Sequence, residues 1–187
     1  MIGVSGANVD AALAALARAA DSGGRRPPVH LWNPPDCGES HIEIRADGSW
    51  WHEQVRIGRS SLVRLFASIL RREADGQVYL VTPVEKMRVR IEDAPFVAIR
   101  ADRIGEGDAQ TIAFTTNVGD VVAASTENPI RVAEIGGAPR PYVLVRPGLE
   151  ARILRAPFYE MANWGQLLEG RMRVFSGGVA FDLGSAE

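Results

Sequence analysis

One unit occurs twice in this chain: a hairpin turn, a short strand ending in arginine, a helix-patterned stretch, then a carboxylate–glycine pair leading into another strand. The first copy runs through Asp47-Gly48, Ile57-Gly58-Arg59, an apolar set of Leu62, Leu65, Phe66 and Ile69, and Asp75-Gly76 before Val78-Tyr79-Leu80-Val81. The second runs through Pro147-Gly148, Ile153-Leu154-Arg155, the set Phe158, Met161 and Ala162, and Glu169-Gly170 before Met172-Arg173-Val174-Phe175. In both copies apolar residues fall three, six and seven positions after the arginine, the spacing of one helix face. Duplication predicts two half-domains and a seam between them where a site could lie. The copies differ in one span: eleven positions separate Gly48 from Arg59, but seven separate Gly148 from Arg155. The first hairpin is therefore expected to carry a longer return strand or a bulge.

The rest of the chain sets the fold class. Val9 to Ala20 has the apolar spacing of a short helix, capped by Asn8 and stopped by Gly23-Gly24, with Arg25-Arg26-Pro27-Pro28 as a linker. His41 to Arg45 alternates, turns at Asp47-Gly48 and returns through Trp50 to Ile57. Lys86 to Ile91 alternates strictly, with Lys86, Arg88 and Arg90 on one face and Met87, Val89 and Ile91 on the other. After Asp93-Ala94-Pro95 come strand candidates at Phe96–Arg100, Thr111–Thr115, Val121–Ala124, Ile130–Glu134, Tyr142–Arg146 and Leu149–Leu154, separated by Gly- and Asn-rich turns. The expected fold is α+β with mainly antiparallel sheets and a duplicated hairpin–arginine–helix–strand motif. Its expected parts are an N-terminal helix and linker over 1–28, a first repeat domain over 29–93, and a second, strand-rich domain over 94–187.

Composition narrows the function classes. With 187 residues, a formal charge of −2 and 24% charged residues, the chain has an ordinary globular make-up and no basic footprint for nucleic acid. The single cysteine, Cys37, excludes an internal disulfide framework and fits a reducing compartment. No basic start leads into an apolar run, and no stretch approaches the ~18 apolar residues of a membrane span, so the cytoplasm is expected. Twenty arginines accompany one lysine, Lys86. Genomic base composition accounts for such a bias, yet a compact ammonium differs from a planar guanidinium at a shaped site.

The segments Ile57-Gly58-Arg59, Leu65 to Glu73, Asp75-Gly76 and Tyr79 to Lys86 resemble the bacterial domain-of-unknown-function family 1285. So do Glu92 to Phe96, Pro141 to Arg146, Gly148 to Arg152 and Ser176-Gly177, and together the likeness runs from Val29 to Gly184. It implies a small α+β protein with a repeated motif, a C-terminal half superficially like pleckstrin-homology domains, and a role in signalling or ligand sensing. It implies no reaction.

Chemistry-bearing residues are sparse. Cys37, His41 and His52 lack the fourth partner a zinc site needs, so no metal is expected. No nucleophile elbow, phosphate loop or cofactor fingerprint appears, and neither a catalytic residue nor a cofactor is assigned. The segment Thr82-Pro83-Val84-Glu85-Lys86 is the most suggestive. Alternation back from Met87 puts Glu85 on the apolar face, where it would need a cationic or multiply hydrogen-bonded partner, such as Arg59 or an arginine of the second half, unless a bulge near Pro83 rotates it outward. Arg59 and Arg155 stand at helix starts, where backbone amides attract anions, and Arg146, Arg152 and Lys86 could extend a basic seam. The competing reading pairs each arginine with a nearby acid. Thr82, Glu85, Lys86, Arg59, Arg146, Arg152 and Arg155 are thus the candidate ligand-binding residues. The function expected is a cytoplasmic, non-catalytic module that binds a small anionic ligand, such as a nucleotide, or a protein partner. The alternatives are an enzyme with Glu85 as acid–base group and arginines as clamps, and a scaffold that pairs through a strand edge.

Overall fold

The protein is described by a computed structural model over residues 26–185; the expected helix at Val9–Ala20 lies outside the described residues. The chain forms two compact units. One comprises the described residues up to Glu43 together with Trp50–Arg90, the other Ile44–Ser49 and the described residues from Ile91 onward.

In the first unit a 3-10 turn at Val29–Leu31 leads into β1 (Asp36–Ile44), β2 (Trp50–His52) and β3 (Val55–Arg56). Helix α1 (Ser60–Ser68) follows, then β4 (Leu70–Arg72), β5 (Val78–Val81) and β6 (Lys86–Ile91). All six strands share one sheet in the order β3-β2-β1-β6-β5-β4. The extra residues of the first copy are neither a long strand nor a bulge. Glu53 and Gln54, with φ of 47° and 68°, make a two-residue turn that folds β3 back on β2. Two successive left-handed residues match the twist of a tight hairpin, which is why so few residues suffice.

Arg59 caps α1 in extended conformation, and its carbonyl accepts from the amides of Leu62 and Val63. The helix stops at Ser68, whose hydroxyl donates to Leu65 O at 2.7 Å. Ile69, read as helical from spacing, is instead the C-cap, 1% exposed. The predicted alternation of β6 holds: Val89 is buried while Arg88 and Arg90 face outward.

The second unit carries β7 (Phe96–Ile104), β8 (Thr111–Thr116), β9 (Val121–Ala123), β10 (Ile130–Ile135), β11 (Ala138–Arg146) and β12 (Leu149–Ile153). They form a sheet of order β10-β11-β12-β7-β8-β9. Every pairing is antiparallel except β12 with β7, which run parallel with Ala151 opposite Phe96. Helix α2 (Arg155–Asn163) then leads to a three-stranded meander, β13 (Gln166–Leu168), β14 (Arg171–Ser176) and β15 (Val179–Ser185). The turn at 44–49 belongs here. Gly48 has φ of 82°, and a Cβ on it would lie 2.7 Å from Val97 Cγ2, so backbone conformation and space both require glycine. Its carbonyl accepts from Asn117 Nδ2 at 3.0 Å.

The duplication is visible element by element: hairpin, nine-residue helix, three-stranded meander. The copies diverge in two ways. In the first unit the meander β4–β6 joins the sheet of its hairpin, whereas β13–β15 stands as a separate sheet. The arginines also differ by one position, Arg59 being the N-cap of α1 and Arg155 the first residue of α2. The architecture is α+β with mainly antiparallel sheets. No described helix is long and apolar enough to cross a membrane.

Candidate ligand-binding site

The site begins with a turn. Thr82 N–H donates to Glu85 O at 2.9 Å and closes the loop between β5 and β6. The Thr82 hydroxyl accepts from the amides of Glu85 and Val84, at 3.1 and 3.3 Å, and donates to Glu85 O at 3.1 Å. A hydroxyl that bonds its own backbone in this way fixes a tight turn. Glu85 is thereby held at the start of β6, on the same face as Met87 and Val89. It is buried, at 7% exposure, so the bulge that would have rotated it outward does not occur.

The Glu85 side chain lines a cavity of about 310 Å³. Leu62, Phe66 and Ile69 from the α1 side, Leu80 and Met87 from the β5–β6 hairpin, and Ile42 and Ile57 supply apolar walls. Phe66 is in turn stacked on the buried Trp50 ring, 6.3 Å between centroids. The other polar side chains at the cavity are Ser40, Thr82 and His52. Ser40 is spent on β-sheet backbone, donating to Arg88 O at 2.7 Å and accepting from Ile42 N–H at 3.2 Å. Thr82 is spent on its turn. Glu85 Oε1 is buried and has no hydrogen-bond partner among the described residues.

Among the described residues no lysine or arginine lines the cavity, so none of them is the cation expected beside Glu85. Arg59 is exposed at the start of α1, and its side chain has no hydrogen bond or ion pair among the described residues. Lys86 follows Glu85 directly, so strand alternation sends it to the opposite face. There its ammonium lies 3.7 Å from Glu73 and 5.0 Å from the centre of the Tyr79 ring. Arg71 grips the same carboxylate and also donates to the carbonyls of Val29 and Trp32.

The remaining candidates lie in the second unit and meet local partners. Arg146 pairs with Asp120 at 3.0 Å and lies 4.8 Å over the Phe96 ring. Arg152 reaches Asp93 at 3.4 Å, a carboxylate that also takes Arg140 and the Tyr142 hydroxyl. Arg155 donates to Tyr159 OH at 3.2 Å along its own helix. Glu150 accepts from both Nε and Nη2 of Arg131 at 2.6 Å. No group of three or more histidine, cysteine or acidic side chains is placed to hold a metal among the described residues. Of the sequence candidates, then, the structure brings only Thr82 and Glu85 to one cavity. Sequence reasoning did not find Ser40, Ile42 and the α1 wall, and it considered His52 only for metal.

These features, a cavity beside the first of two repeated α+β halves, belong to a class defined by homology. The model of the N-terminal domain of DUF1285, a domain of unknown function, matches residues 27–94, and that of its C-terminal domain matches residues 95–183. The chain is similar to a DUF1285 family protein from Silicibacter pomeroyi DSS-3 solved at 2.50 Å, with 46% identity over 93% of this chain and 95% of that one and a TM-score of 0.85. It is more distantly similar to a DUF1285 family protein from Shewanella baltica OS155, with 26% identity over 68% of this chain and 94% of that one and a TM-score of 0.55. None of the curated proteins matches. The chain belongs to the DUF1285 family, whose function is unknown.

Proposed function

We propose that the first unit is a binding module for a small, mainly apolar molecule seated in the Glu85 cavity. One observation carries this reading: Glu85, whose Oε1 is buried with no hydrogen-bond partner among the described residues, lines a mainly apolar cavity. Burying a polar atom unpaired costs about 1–3 kcal/mol, and folding alone gives no return on it. Unmet groups of this kind concentrate where a ligand completes them. The volume sits at the small end of ligand pockets, and a few polar groups set in apolar walls is their usual make-up. An anionic ligand, the chemistry the helix-start arginines suggested, is repelled from this cavity by the Glu85 charge.

The test is a thermal-shift screen of small apolar compounds against the full chain and a Leu62→Trp variant. The indole would fill the cavity while leaving Glu85 in place. Compounds that stabilise the wild type and not the filled variant support the reading; hits that shift both equally place binding elsewhere. Catalysis is the second reading, favoured by His52 and Glu85 lining one cavity as two titratable side chains. Turnover of a bound compound by the wild type, lost in Glu85→Gln with binding kept, would select it.

A further inference from the structure

We infer that the ligand of this cavity is a compact organic cation, an ammonium or similar N–H cation on a short alkyl or aromatic body. The inference rests on the binding reading above and assigns its ligand class. A carboxylate only accepts hydrogen bonds, so whatever completes Glu85 must donate. A buried carboxylate further demands a positive partner, because hydrogen bonds alone leave much of its desolvation unreturned. The protein supplies that partner to two acids nearby. Glu39 has Arg88 and Glu73 has Arg71 and Lys86, all on the outward face of the same hairpin or beside it. Glu85, which lines the cavity, has no cation beside it among the described residues.

The neighbouring hydroxyls do not change this. Ser40 and Thr82 are committed to backbone atoms, and His52 is exposed, so among the described residues that line the cavity Glu85 is the buried polar side chain with unused capacity. Size sets the other limit. A volume of about 310 Å³ equals roughly ten waters of liquid, at about 30 Å³ each. That suits one ring or a short chain, and the carboxylate repels the phosphates of a nucleotide.

The experiment is calorimetric titration of the full chain with three probes of one skeleton: phenethylamine, 2-phenylethanol and phenylacetate. The amine should bind about tenfold or more tighter than the alcohol, the range of one charge-assisted hydrogen bond. Phenylacetate should not bind measurably. Glu85→Gln keeps the shape and should erase the advantage of the amine over the alcohol. The wild-type series stands without that variant if it fails to fold. Equal binding of amine and alcohol, or preference for phenylacetate, overturns the cation assignment while leaving a binding cavity. Failure of all three probes, and of butyl- and hexylamine, overturns the cavity reading itself.

Discussion

The Tyr142 hydroxyl donates to Asp93 Oδ1 at 2.6 Å across 49 residues of chain, tying the start of the second unit to β11. Tyr142 is 2% exposed, and burial first, then Asp93, push its phenol above the ordinary value. Arg140 and Arg152 flank the same carboxylate. Tyr142→Phe should lower stability by about 1.5–3 kcal/mol, the usual worth of a hydrogen bond to a charged group. The urea midpoint should fall without a change in slope; an unchanged midpoint would mean the two arginines hold Asp93 unaided.

A second tyrosine gives stability a pH signature. Tyr79 OH donates to Asp75 Oδ2 at 2.8 Å. The Gln77 amide and then the Tyr79 hydroxyl hold Asp75 below its ordinary 3.8, while Asp75 pushes Tyr79 up to about 12. The lowered acid contributes stability that is in place above pH 3.8 and disappears as pH falls below it. The raised phenol contributes stability that is in place below pH 10 and disappears as pH rises through about 12. Urea midpoints measured across pH should show both losses, and Tyr79→Phe should reduce the alkaline one, leaving the part that Tyr142 contributes. Phenolate absorbance read alongside should show Tyr79 ionising late, and that late step should be missing in Tyr79→Phe.

Glu85→Leu should stabilise the unliganded protein. Replacing a buried charge that lacks a partner with an apolar side chain of similar size is worth about 1–4 kcal/mol in favourable cases. For a chain of this length that raises the melting temperature by about 2–4 °C per kcal/mol. A lower melting temperature would show that Glu85 is structural.

Thr82→Val should do the opposite. It keeps the shape but strips the hydroxyl from three backbone contacts at Val84 and Glu85. A loss of about 1–3 kcal/mol is expected, with Thr82→Ser recovering most of it. Chemical denaturation of the three proteins side by side decides whether the hydroxyl or the methyl matters.

Much of the fold was legible in the sequence because glycine and alternation are local signals. Gly136-Gly137, between two alternating runs, marks the turn that joins β10 to β11, and the alternation of Lys86 to Ile91 pointed to the side Glu85 takes. Pairing was not legible. Nothing in Leu149–Ile153 announces a parallel neighbour at Phe96–Ala98, since periodicity records which face is buried and not which strand lies alongside. The Glu53-Gln54 turn was missed for a related reason: neither residue is the glycine or asparagine that usually occupies left-handed positions. At the site, the inward direction of Glu85 could be read, but its missing cation could not. An unfilled space is made by residues as far apart as Ile42 and Met87, and only the folded chain brings them together.

The six residues Ile44–Ser49 count with the second unit although the chain on either side of them counts with the first. The two halves are therefore laced through one another in sequence. A genetic crossover at the junction of residues 94 and 95 would deliver a second half stripped of Gly48, leaving the Asn117 amide without its acceptor and Val97 without its cover. Whatever duplication produced this chain, its halves can now be inherited only as a pair, because no single cut returns either one whole.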